Sequence, residues 1–177
     1  MEAYKIKAGG NTISALVKSG KYDWFNDDIE KFPFEPTKAK EIEIVNFNRT
    51  ISSEDAIKEL DARGLRPATA TELLLLGAQH PELQRKDWIV ALGTVRSIRD
   101  FRSVASLSGD SAYRYLHVFW FENDWFEDFR FAAVRKLKSL DTRKLGGGKD
   151  ALDPLDLDGK IIEIDGVKYK LVKNAPK

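Results

Sequence analysis

The chain of 177 residues contains no cysteine. Disulfides, thiolate metal sites and cysteine nucleophiles are therefore excluded. Its two histidines, His80 and His117, stand far apart, and nothing in the sequence sets either beside a second nitrogen ligand or a nucleophile. Neither a metal centre nor a catalytic triad is expected, and no motif asks for a cofactor: Gly146 to Lys149, GGGK, lacks the strand and helix context of a phosphate loop. Long hydrophobic runs are missing too, since none approaches the roughly 20 apolar residues that span a bilayer. The first twenty residues lack the basic segment and apolar run of a secretory signal. A cytoplasmic protein is the expectation, with surface display by another export route left open. Nor is there an excess of charge of one sign: 29 basic against 28 acidic residues leave a net +1, so no global field steers the chain toward nucleic acid or an anionic membrane. Arg96, Arg99 and Arg102, and the basic run from Arg135 to Lys144, are interrupted by Asp100 and Asp141 and read as solvated faces.

What is present is a chain long enough for one main domain and a little more. Asn11 or Thr12 can cap a helix through Ile13, Leu16 and Val17, with Gly20 as its left-handed stop. Residues 41–47 alternate like a strand. Ser52 or Ser53 opens a second helix that Gly64 closes, and Thr69 with Glu72 forms a capping box before the Leu73–Leu76 run. Trp88–Val95 reads as a buried strand, and Arg96–Gly109 as a loop or a ragged edge strand. Residues 113–121 predict a strand, 122–124 its turn, and 129–137 a strand returning beside it. An α+β domain over 1–140 follows, then a Gly- and Pro-containing linker over 141–158 and a C-terminal β-hairpin extension over 159–177 with its turn at Asp165 and Gly166.

The aromatic residues are unevenly placed. Nine of the 19 lie between Tyr113 and Phe131. Strand alternation puts Leu116, Val118 and Trp120 on one face, expected in the core with Leu73, Leu74, Leu76, Ile89, Val90 and Leu92, and it puts Tyr115, His117, Phe119 and Phe121 on the other. Large amphipathic side chains rimmed by polar groups, here Asn123, Asp124, Glu127 and Asp128, have the composition of a binding surface. The competing reading buries both faces, because aromatic residues are core formers first.

Four segments in order, SGKYDWFNDDI, ISSEDAIKELDARGLRPATATELL, LQRKDWIVALG and RYLHVFWFENDWFEDFRFAAVRK, carry a resemblance that covers about residues 1–137. The chain resembles the variable proteins of diversity-generating retroelements, which have a C-type lectin fold. The resemblance implies a C-type lectin-like domain of two helices and a mainly antiparallel strand meander. It also implies that a reverse transcriptase rewrites one segment by misincorporation opposite template adenines. Asn codons ending in C are the usual target, and they cannot yield Trp, Glu, Lys, Met or Gln. By that rule Trp120, Glu122, Trp125 and Glu127 are fixed framework, whereas Tyr113, Tyr115, His117, Phe119, Phe121, Asn123, Phe126, Asp128 and Phe129 can vary. The expectation is a non-enzymatic protein that binds an unidentified protein or other macromolecule, with the oligomeric state open and a monomer favoured. The ENDW sequence at 122–125 echoes one calcium motif of sugar-binding lectins, but the accompanying proline motif is absent. The alternative function is a carbohydrate-active or carbohydrate-binding protein, with the aromatics as sugar platforms and Glu122, Asp124, Glu127 and Asp128 as candidate acids.

Overall fold

The computed structural model describes residues 2–141, 159–164 and 167–172. The chain forms two compact units, Met1–Arg135 and Lys136–Lys177, and the class is α+β. In chain order the first unit carries β1 (Glu2–Ile6), α1 (Ile13–Gly20), β2 (Trp24–Phe25), a 3-10 turn (Asp27–Lys31), β3 (Lys40–Val45), β4 (Ile51–Ser52) and α2 (Ser53–Ala62). It continues with β5 (Leu65–Pro67), α3 (Ala70–Gln79), β6 (Trp88–Ile98), β7 (Phe101–Gly109), β8 (Arg114–Trp120), β9 (Asp124–Trp125) and β10 (Phe129–Arg135). Among the described residues no helix is long and apolar enough to cross a membrane.

Local signals explain the helices. The Thr12 hydroxyl accepts from Ala15 N at the start of α1, Ser52 does the same for Asp55 N at α2, and Thr69 and Glu72 close a reciprocal capping box at α3. The left-handed stop of α1 is Lys21 (φ 51°), not Gly20. Gly20 is small for another reason: a Cβ there would fall 2.3 Å from the Tyr22 ring. With α1 the chain has three α-helices among its described residues, where the lectin-like expectation counted two.

The sheet runs in the order β1-β3-β10-β6-β7-β8-β2, with β5 also paired to β10, and it is mainly antiparallel. Its middle departs from a simple meander. β10 does not return beside β8; it lies between β3 and β6, parallel to the latter with Phe129 opposite Trp88. Nor is Arg96–Gly109 a loop or an edge: Arg99 (φ 49°) and Asp100 (φ 70°) form a two-residue turn, and β7 runs back as an interior strand between β6 and β8. Its serines hide that role because they carry no apolar signal, yet they are satisfied inside the sheet: Ser106 Oγ donates to Ile89 O at 3.0 Å.

Helices cover both faces. On one, α1 and α3 bury Ile13, Leu16, Leu73 and Leu76 against Ile89, Ala91, Leu107 and Leu116. On the other, Ala56 and Leu60 of α2 join Val90, Leu92, Val104, Phe131 and Ala133. Leu116 is fully buried as expected, Val118 is half-buried, and Trp120 is 55% exposed. That placement corrects the assignment of Trp120 to the core. At the end of β8, Trp120 stacks on Phe101, itself half exposed, at the β6–β7 hairpin (5.0 Å, 21°). Val95, read as part of a buried strand, is also exposed, since the β6–β7 register slips between Ala91 and Arg96.

The second unit is a three-stranded sheet of β11 (Lys138–Asp141), β12 (Ile161–Ile164) and β13 (Val167–Val172), in the order β11-β13-β12. Ile164 pairs with Val167 in an antiparallel hairpin, as the sequence predicts. Its turn at Asp165 and Gly166, and linker residues 142–158, lie outside the described residues. The strand at Lys138–Asp141, which aligns parallel to β13, sits where the end of the first domain was expected.

Candidate functional site

Alternation along β8 turns Tyr115, His117 and Phe119 to the face that α2 covers only in part. β2 pairs in parallel register with the start of β8, Trp24 opposite Tyr115, which brings Trp24 to the same face. Trp88 arrives as the first residue of β6 and Phe129 as the first of β10. The rings form one continuous seam: Phe131 to Trp125 (6.3 Å), Trp125 to Phe129 (5.2 Å), Phe129 to Trp88 (5.5 Å), Trp88 to His117 (5.3 Å) and His117 to Trp24 (5.6 Å). His117 also stacks on Phe119 (5.2 Å, 11°) and lies 6.0 Å from Tyr115.

At one end the seam opens into a recess of about 480 Å³ bounded by Trp24, Trp88, Tyr115 and His117, with Ser108, Gly109 and Asp110 along its edge. The edge is shaped by close approach: a Cβ on Gly109 would fall 2.7 Å from Tyr113 O, so only glycine lets the chain pass there. Beneath it lies Arg114, 6% exposed, whose guanidinium donates to Gly20 O, Gly77 O and Gln84 Oε1. Gln84 Nε2 in turn donates to Ser108 O at 2.7 Å and Tyr115 O at 3.1 Å. This buried amide and guanidinium clamp the two strand ends that frame the recess. His117 Nε2 meets Ser108 Oγ at 2.8 Å, and burial pushes the imidazole pKa down, which favours its neutral form.

The nine candidate residues divide accordingly. Tyr115, His117, Phe119 and Phe129 are half-buried members of the seam, while Tyr113 (54% exposed), Phe126 (63% exposed) and Asp128 lie at the surface. Asn123 is half-buried in the turn after β8, its N–H donating to Trp120 O at 3.3 Å. Phe121 is 4% exposed and belongs to the α2 core, beneath the Arg102 guanidinium at 4.4 Å. It was expected on the displayed face; the strand ends at Trp120, so alternation no longer governs it. Sequence reasoning missed Trp24, Trp88, Ser108 and Asp110 as parts of a site. Trp24 read as an anchor and Trp88 as the start of a buried strand, and no local signal ties either to a ring more than twenty residues away.

Among the acids of the carbohydrate-active alternative, Glu122 is held in an ion pair. The hydrogen bond from Arg102 Nε (2.6 Å) lowers the Glu122 pKa, the opposite of what a general acid needs. Among the described residues no three acidic or histidine side chains converge on a point where a metal ion would sit. A second recess of about 400 Å³, edged by Glu35, Lys40, Arg66 and Glu72, is internally saturated. There the Glu72 carboxylate, 2% exposed, takes Arg66 at 2.7 and 2.9 Å, Lys40 at 2.7 Å and Thr69 N at 2.8 Å. Burial alone would raise its pKa, but these bonds outweigh burial and hold it at about 2.

No protein-family profile, no curated protein and no solved structure matches this chain.

Proposed function

We propose that this chain is a non-enzymatic recognition protein with a C-type lectin-like fold, in which residues 113–129 are a retroelement-diversified segment presenting an aromatic surface to a protein or other macromolecular ligand. One observation carries the reading: the aromatic residues of the segment divide largely as the codon rule divides them. Trp125, which an Asn template codon cannot yield, is buried to 1% and fixed by its indole N–H to Ser53 Oγ at 2.8 Å. Tyr113, Tyr115, His117, Phe119, Phe126 and Phe129, which such codons can yield, are half-buried or exposed. Two rings depart from it: Phe121, 4% exposed, leaves the binding set for the framework, and Trp120, which such codons cannot yield, is 55% exposed. An exposed aromatic surface of this extent is a mark of recognition in soluble proteins.

The test is the DNA flanking the gene. The reading expects a near-duplicate of the codons for residues 113–129 beside a reverse transcriptase gene, differing mainly at template adenines in the codons of His117, Phe119, Asn123 and Phe126. Flanking DNA without such a repeat overturns it.

A further inference from the structure

The recess at the end of the ring seam has a more specific chemistry than the seam as a whole. We propose that the recess bounded by Trp24, Trp88, Tyr115 and His117 seats a cationic group of the ligand, an ammonium or guanidinium, with Asp110 as its counter-charge. This names the ligand chemistry of the surface proposed above, and it rests on that reading only for the claim that the cation belongs to a macromolecule.

The walls are π faces. Trp24 is 49% exposed, and Trp24, Trp88 and Tyr115 stand around His117 at ring separations of 5.6, 5.3 and 6.0 Å. Indole and phenol rings disposed around one open volume attract a cation through their quadrupoles, with indole the strongest.

Several polar atoms at the edge of the recess are paired within the protein. Ser108 Oγ is bonded to His117, Ser108 O and Tyr115 O are bonded to Gln84, and Asp110 O takes Arg85 Nη1 at 3.0 Å. The edge also carries a negative group. Asp110 Oδ1 accepts both Ala112 N (2.7 Å) and Tyr113 N (2.8 Å), and these bonds hold the carboxyl below the usual carboxylate range. Its second oxygen is left for a ligand.

The neighbouring cations bond backbone carbonyls and not the Asp110 carboxylate, on which the Arg85 charge nonetheless acts. Arg114 is buried among carbonyls, and Arg85 directs its guanidinium to Asp110 O and Ser111 O, both at 3.0 Å. Burial favours the neutral form of His117. In a chain of net charge +1, a ring-walled recess edged by the Asp110 carboxylate is complementary to a cation.

The experiment titrates the full-length protein with choline, with its neutral isostere 3,3-dimethylbutanol and with cellobiose, following indole fluorescence and the indole N–H resonances. Choline should perturb Trp24 and Trp88 saturably, and the isostere should bind about tenfold more weakly, as expected for a desolvated cation–π contact. Trp24→Ala should abolish the choline response and Asp110→Asn should weaken it several-fold, while Trp120→Ala, outside the recess, should leave it unchanged. Were Trp24→Ala to misfold by circular dichroism, Trp24→Phe should retain a weaker response. Equal binding of choline and its isostere, cellobiose binding in place of choline, or no saturable response to choline each overturns the proposal. Choline binding in a protein whose gene has no flanking repeat would uphold the recess and remove only the diversified-surface reading.

Discussion

The two ends of the ring seam are built from the same residue types, and they are buried to opposite extents. At one end Trp125, Phe131 and Phe121 are buried beneath α2, where Ala56 and Leu60 pack against them. At the other, Trp24 is half exposed and Tyr115 and His117 only partly covered, around an open recess. No property of an isolated ring distinguishes core from binding surface. The distinction is whether a helix reaches it: α2, only ten residues long, ends before it covers the whole strand face.

The largest effect should come from the covered end. Trp125→Ala removes a fully buried ring and should cost about 3–5 kcal/mol in denaturant unfolding; a loss below about 1 kcal/mol would erase the contrast between the ends. Next is an acid transition belonging to neither end. Glu72 titrates at about 2 in the folded chain against 4.5 unfolded, so its stabilisation is present above pH 4.5 and lost as the pH falls toward 2. That shift is worth on the order of 3 kcal/mol. Glu72→Gln should flatten this part of a stability-versus-pH curve.

Ser53→Ala tests how the covered end is held. The hydroxyl accepts from Trp125 Nε1 (2.8 Å) and donates to Phe121 O (2.6 Å), and leaving both groups buried and unpaired should cost about 1–3 kcal/mol. Trp120→Ala should cost only about 1 kcal/mol, the value of an exposed ring pair with Phe101. The sequence pattern alone would have made it as costly as Trp125→Ala. The smallest effect is expected for Phe126→Ser, within about 0.5 kcal/mol by thermal denaturation. A large loss there would show that the exposed rings serve stability and not recognition.

Much of the local structure was legible in advance. The caps at Thr12, Ser52 and Thr69, the β6 and β8 strands and the C-terminal hairpin follow from spacing and side-chain chemistry, because each depends on neighbours within a few residues. β7 was not legible: Ser103, Ser106 and Ser108 signal a loop until strands on both sides satisfy them. The site was half legible. Tyr115, His117, Phe119 and Phe129 stand out as an aromatic cluster, but the recess they share also needs Trp24 from β2 and Trp88 from β6.

By itself, then, the sequence determined which residues alternate, which segments cap and turn, and where large rings concentrate, since those properties are local. Tertiary structure alone decided that β10 inserts between β3 and β6, that Trp120 faces water while Phe121 does not, and that Trp24 and Trp88 close on His117. Strand order and helix coverage are set by the whole core packing at once, and the burial of any one ring depends on chain segments that its own neighbourhood in the sequence does not contain.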